Sequence, residues 1–186
     1  MDVKNIINNY LTSSDWRVKE NANTGYSFSG LSLRVSEDAF EEYMLDSVYT
    51  PKIKSSHQNC YMKIHDCGYP TVYCAGHDLR KLLSEGLNGV KGKINTYPPK
   101  HLNSAINLIV NFLGIMQMEA AGAQAISNFD TLLASFIKAD KMSYKEVKQN
   151  IQNLIWHLNI PNRWGAQCPF TNITIDIVVP TMFKDE

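Results

Sequence analysis

Tyr73-Cys74-Ala75-Gly76-His77-Asp78-Leu79 is an extended stretch that runs into a helix. Asp78 can cap that helix by accepting hydrogen bonds from the free N–H groups of its first turn. Leu79, Leu82 and Leu83 then recur at the spacing of one buried helical face. A thiol, Cys74, therefore stands at the end of a strand that precedes a helix. Such a thiol can face a cavity, or it can be a buried structural cysteine. The residues alone leave both readings open.

Downstream of this stretch, Gly86, Gly89 and Gly92 punctuate a loop that also carries Lys91 and Lys93. Leu102, Ile106, Ile109, Val110 and Leu113 then predict a long buried helix. Gly122-Ala123-Gln124 reads as a second loop before a helix with Leu132, Leu133, Phe136 and Ile137. Ser143-Tyr144-Lys145-Glu146 is a capping box. Val147, Ile151, Leu154, Ile155 and Leu158 follow it at helical spacing, and Pro161 closes the segment. The chain is expected to end in a strand. Ile173, Ile175, Ile177 and Val179 alternate there with Asn172, Thr174 and Asp176. Its polar face lines either solvent or a ligand.

Upstream, Cys60 to Ile64 reads as a strand, with a turn at Tyr69-Pro70. Thr50-Pro51 starts a short helix with proline at its first position. Ser36 is the expected N-cap of a helix with Glu37 and Asp38 in its first turn and Phe40, Tyr43 and Met44 on its apolar side. Tyr26, Phe28 and Leu31 read as strand or turn. Val3, Ile6, Ile7, Tyr10 and Leu11 share one helical face.

The 186 residues suffice for one domain with a sizeable core, and neither a repeat nor a linker argues for more. Lys+Arg and Asp+Glu balance at 18 each. That argues against a broad basic surface for DNA or anionic membrane, but not against nucleotides, which need only a few local cations and N–H groups. No export signal or membrane span is read, so the expectation is a soluble, cytoplasmic chain. Cys60, Cys67, Cys74 and Cys168 suggest thiols rather than a disulfide framework. The even spacing of the first three fits no usual zinc site, and no metal is expected.

Six stretches together resemble the large subunit of anaerobic (class III) ribonucleoside-triphosphate reductases. They are Asp15 to Asn23, Tyr26 to Leu31, Ile64-His65-Asp66, Tyr73 to Leu79, Val110 to Asp130, and Pro169 to Thr174. The resemblance runs from residue 15 to 180 and implies an α/β fold, the N-terminal half of a ten-stranded barrel of the glycyl-radical enzyme type with long helices outside. It implies reduction of a ribonucleoside triphosphate at the 2′ carbon by thiyl and glycyl radical chemistry. No cofactor is expected in this chain. In the complete enzyme, an iron–sulfur, S-adenosylmethionine-dependent activase makes the glycyl radical.

Cys74 matches the family's early-strand cysteine and His65-Asp66 its His-Asp pair, with Cys74 and His65 implied as catalytic. Asn21, Asn23, Ser27, Asp66, Asn128, Thr171 and Asn172 match polar positions implied to bind substrate. Lys91, Lys93, Gln117 and Glu119 fall where the family binds its deoxynucleoside triphosphate effector and forms its dimer. His77 departs from the tryptophan common there, and Cys67 has no family role. The ATP cone, finger-loop radical cysteine and glycyl-radical domain are read as absent. The chain is thus expected to be inactive alone and to need the C-terminal half of the reductase, an activase and a second copy. An effector-binding and dimerisation module, or a non-catalytic remnant, are the other open readings.

Overall fold

A computed structural model of the chain describes residues 2–12, 26–89, 96–163 and 167–183. The expected single domain contains two compact units. One comprises Met1–Val72 with Pro161–Gln167, the other Tyr73–Ile160 with Cys168–Glu186.

The second unit holds the sheet. Strands β1 (Ala75–His77), β2 (Gln124–Ile126) and β3 (Thr171–Ile173) lie parallel in that order. Ala75, Gln124 and Thr171 form one row across the sheet, Gly76, Ala125 and Asn172 the next, and His77, Ile126 and Ile173 the third. Parallel neighbours need long crossovers, and helices supply them. α4 (Leu79–Glu85) and α5 (Leu102–Glu119) connect β1 to β2, while α6 (Phe129–Ala139) and α7 (Tyr144–Leu158) connect β2 to β3.

Local chemistry explains most helix starts here. Asp78 accepts from Arg80 N–H at 2.9 Å. Ser143 and Glu146 form the reciprocal capping box, and the Ser143 hydrogen bonds hold the Glu146 carboxyl below its usual range. α5 has no cap of its own. Asp140, just past α6, reaches across to accept from Leu102 N–H at 3.0 Å and meets His101 Nδ1 at 2.8 Å. The His101 contact first, then the Leu102 N–H, lowers the Asp140 pKa.

The apolar stripe of α5 is the centre of the core. Leu102, Ile106, Ile109 and Leu113 pack with Leu79, Ile126, Leu133 and Leu154. The stripe is buried as its spacing predicts, covered by the chain's own α4, α6, α7 and β2. A second copy would have to meet α5 on its other side, where Asn103, Asn107, Asn111, Ile115 and Met118 are exposed.

In the first unit, α1 (Val3–Leu11) packs on α2 (Phe28–Tyr43), which continues into a π turn, Met44–Val48, and then α3 (Pro51–Gln58). Thr50 caps α3 with proline at its start, as expected.

Four expectations are corrected. Phe28 and Leu31 are helical, because Ser27 Oγ accepts from Gly30 N–H at 2.9 Å and starts α2 there. Ser36 is consequently inside that helix rather than at its N-cap. Residues 60–64 are not a strand. Cys60 takes a φ of 59°, Tyr61 and Met62 return their N–H groups to Ser56 O, and Ile64 donates to the His57 ring. Gln124 lies in β2 rather than in a loop.

The terminal strand also stops early, at Ile173. Asp176 is captured by the start of α6, which bends the chain off the ladder. Its carboxylate accepts from Asn128 Nδ2 at 2.9 and 3.0 Å and from Thr131 Oγ1 at 2.6 Å. Its N–H donates to Asp130 at 3.0 Å. Ile175, Ile177 and Val179 are left exposed. Among the described residues, no helix is long and apolar enough to cross a membrane.

Candidate functional site

Cys74 immediately precedes β1, at the start of the strand rather than at the expected strand end, is exposed, and lies against Gly122. The glycine is required for that approach. A Cβ at position 122 would sit 2.6 Å from Cys74 Sγ and 2.9 Å from its backbone nitrogen. Ala75 N–H donates to Ala123 O at 3.1 Å and Gly122 N–H to Tyr73 O at 3.1 Å. The cysteine backbone is thereby pinned between two hydrogen bonds.

Successive strand residues face opposite ways, which separates two candidates that are adjacent in sequence. Thr171 shares a face with Gln124, Ile126 and Ile173. Gln124 and Ile126 are 0 % and 1 % exposed there, and β2 packs on α5. Thr171 Oγ1 is buried on that inner face without a hydrogen-bond partner. Asn172 is exposed on the other face with Gly76 and Ala125. Among the described residues, nothing lies within 4 Å of where a Gly76 Cβ would stand. The Gly76–Asn172 face is therefore the open one. Asn172 is available to a ligand, whereas Thr171 belongs to the packed side.

Asn128 has a left-handed backbone, φ 50°, at the cap of α6, and its amide N–H groups go to Asp176. Its carbonyl oxygen is what it can offer a ligand. Gln117, an expected effector contact, has both ends of its amide committed within the chain. It is 0 % exposed, donates to Phe170 O at 2.7 Å and accepts from Phe170 N–H at 3.1 Å. A buried amide that closes on both backbone groups of one residue, Phe170, holds the start of β3 against α5. Glu119 is exposed. Lys91 and Lys93 lie outside the described residues, as do Asn21 and Asn23.

In the first unit, His65 Nδ1 meets Asp66 Oδ2 at 2.9 Å, with the His65 side chain 76 % exposed. Asp66 has a φ of 48°, a region that aspartate tolerates better than bulky residues. Just upstream, buried His57 accepts from Ile64 N–H through Nδ1 at 3.1 Å and meets Glu41 through Nε2 at 3.1 Å. The first bond fixes the tautomer, so Nε2 carries the proton and donates to Glu41. It also ties down the residue before His65. The sequence reading missed His57.

Ser27 Oγ is occupied as the α2 cap, and its N–H donates to Tyr10 Oη at 3.3 Å. Cys67 is 7 % exposed. Burial, then the nearby Glu41 carboxylate, raises its pKa against a smaller opposing effect of Lys63. Its thiol is therefore held as S–H and packed. Tyr69 is pushed well above the usual phenol range by burial and by its hydrogen bond to Glu37. Among the described residues, no group of three or more His, Cys, Asp or Glu side chains could hold a metal ion.

Short parallel strands with helical crossovers, a thiol just before the first strand and an open face carrying Asn172 define an α/β unit. The chain belongs to the anaerobic ribonucleoside-triphosphate reductase family, whose pattern it matches over residues 20–186. Among solved structures, it is similar to an anaerobic ribonucleotide reductase with TM-score 0.73 and 20 % identity, over 92 % of this chain and 30 % of that one. The Thermotoga maritima enzyme with dATP bound in its specificity site gives 0.70 and 19 %, over 92 % and 32 %. The same enzyme with dATP and CTP gives 0.69 and 18 %, over 91 % and 34 %. The chain thus spans about a third of the length of these relatives. At such identities the likeness is one of fold, an α/β arrangement whose sheet has three parallel strands among the described residues, rather than the expected half of a ten-stranded barrel. No curated protein matches the chain.

Proposed function

We propose that this chain is the N-terminal part of an anaerobic ribonucleotide reductase that converts ribonucleoside triphosphates to deoxyribonucleotides, with Cys74 as a reducing thiol. The observation that carries the reading is Cys74 itself. It is exposed at the head of β1, in the matched region, over a glycine that leaves its sulfur room.

In this reaction the 2′ hydroxyl leaves as water, and two electrons enter from formate or a thiol donor. A glycyl radical, made by a separate activase, supplies the radical chemistry in the assembled enzyme. Within this chain, Cys74 donates a hydrogen atom from its S–H. Asn172, on the open face, and the Asn128 carbonyl orient the substrate, and His65-Asp66 is a proton-relaying or ribose-binding pair. The substrate is held by hydrogen bonds from these side chains. The chain acts only with the remaining portion of the reductase, as a homodimer in the cytoplasm.

The test is anaerobic turnover by the complete reductase carrying Cys74→Ser. Serine keeps the hydrogen-bonding group and approximate size but cannot donate a thiol hydrogen. Turnover should vanish while the melting temperature stays at the parent value. Near-parental turnover would overturn the assignment.

A further inference from the structure

Beneath Cys74, the buried amide of Gln124 is committed on both sides. Its nitrogen faces three carbonyl oxygens, of Ala123 at 3.1 Å, Gly122 at 3.2 Å and Tyr73 at 3.4 Å. Carbonyls only accept, so the orientation of the amide is fixed. Its oxygen therefore faces His77 Nε2, 2.7 Å away. An amide oxygen only accepts, so His77 Nε2 must carry a proton. The His77 ring is held in turn by an edge-on contact with Phe112 of α5, with ring centroids 4.8 Å apart.

These bonds converge on the peptide groups around the thiol. Tyr73 O is the carbonyl of the residue before Cys74. Gly122 is the residue its sulfur lies against, and Ala123 O accepts from Ala75 N–H, just after it. Gln124 is 0 % exposed, and its amide N–H groups donate to the peptide groups around Cys74 rather than to the thiol.

We propose that Gln124 and His77 are positioning residues for Cys74, a two-member clamp in which His77 orients the Gln124 amide and the amide fixes the backbone that aims the thiol. The proposal rests on the reading of Cys74 as the working thiol, but concerns a different property, the sulfur's placement. Within the clamp His77 supplies the ring N–H donor for Gln124 and an aromatic face for Phe112.

The test measures the alkylation rate of Cys74 by iodoacetamide in the folded chain, read by peptide mass spectrometry. Exposed Cys60 is the internal reference. Gln124→Leu should free the Tyr73–Cys74 backbone and raise the Cys74 rate about fivefold or more, the size expected of modest local loosening. The Cys60 rate should not change. His77→Phe should act in the same direction. His77→Gln, which keeps an amide N–H donor, should return the rate toward the parent value. Because the two residues act in series, Gln124→Leu/His77→Phe should be no faster than Gln124→Leu alone.

Unchanged Cys74 rates in both single variants, or multiplicative effects in the double variant, would overturn the clamp. So would a failure of His77→Gln to rescue. If Gln124→Leu does not fold, the comparison of His77→Phe with His77→Gln still decides. Turnover is not read in this experiment. Activity of the Cys74→Ser reductase would remove the catalytic reading and leave the clamp standing, and the reverse holds equally.

Discussion

Replacing Gln117 by leucine isolates the interaction that fastens β3 to α5. The glutamine is 0 % exposed and closes two hydrogen bonds on Phe170. The loss is unequal on the two sides. Phe170 O keeps the Gln124 N–H donor at 2.8 Å, so its loss is small. Phe170 N–H loses the acceptor it has in Gln117; a fully buried donor so deprived costs about 1–3 kcal/mol, and Phe170, 53 % exposed as a residue, falls in the lower part of that range. Leucine fills a similar volume and needs no hydrogen bond, which offsets part of that cost. The net expected destabilisation is about 1–2 kcal/mol. Urea unfolding of the 186-residue chain measures it, and hydrogen exchange at the Phe170 and Gln124 amides shows where it falls. Gln117→Glu should be worse, because a buried carboxylate would face the Phe170 carbonyl. The reasoning fails if the leucine variant matches the parent within about 0.3 kcal/mol and Phe170 exchange is unchanged.

Other substitutions probe the remaining features. Gly122→Ala should destabilise by about 1–3 kcal/mol, the usual range for overpacking, whereas Gly76→Ala, with open space at its Cβ position, should melt near the parent temperature. Leu133→Ala removes a core side chain that is 2 % exposed and should cost about 2–5 kcal/mol in urea unfolding. The Asp140 carboxyl has a lowered folded-state pKa. Its stabilising contribution is therefore present above the ordinary carboxylate range and is lost as pH falls through the depressed value. An acid titration of stability should show that loss in the parent chain and a smaller one in Asp140→Asn.

The features legible in the sequence were those written in neighbouring residues. Ser143 with Glu146, Thr50 with Pro51, and Asp78 each announce a helix through groups three or fewer positions apart. The α5 stripe announces its burial by its period. Ser27 was missed because no acidic residue follows it at the third position to complete a box, while Ser36 is followed directly by two acids. Helix α2 uses those acids differently, within its own face, where Arg34 pairs with Asp38 and lies 3.8 Å from Glu37.

The sheet was the least legible part. Each strand has only three residues, and Gln124 becomes part of one because Ala75 and Thr171, both distant in sequence, pair with it. The site divides the same way. Cys74 is proposed from its motif. The opposite facings of Thr171 and Asn172, the commitment of Gln117 to Phe170 and the bond between His77 and Gln124 all depend on partners that no local pattern specifies. Asp176 was read as part of a polar strand face. The stretch Asn128 to Thr131, which draws its carboxylate off the strand, was the available signal.

The order β1-β2-β3 follows the order of synthesis. At roughly 5–20 residues per second, the 47 positions from Gln124 to Thr171 put β3 out of the ribosome roughly 2–9 s after β2. In that interval β2 can pair only with β1. Its other edge, the one destined for Thr171–Ile173, presents unsatisfied peptide groups on a nascent chain, where any extended segment could pair with them. The Gln117 amide has no Phe170 to close on until then. The vulnerable period in the life of this protein is thus set by the long crossover through α6 and α7. A chain stalled before residue 171 would be more exposed to aggregation than one stalled before β2 has emerged.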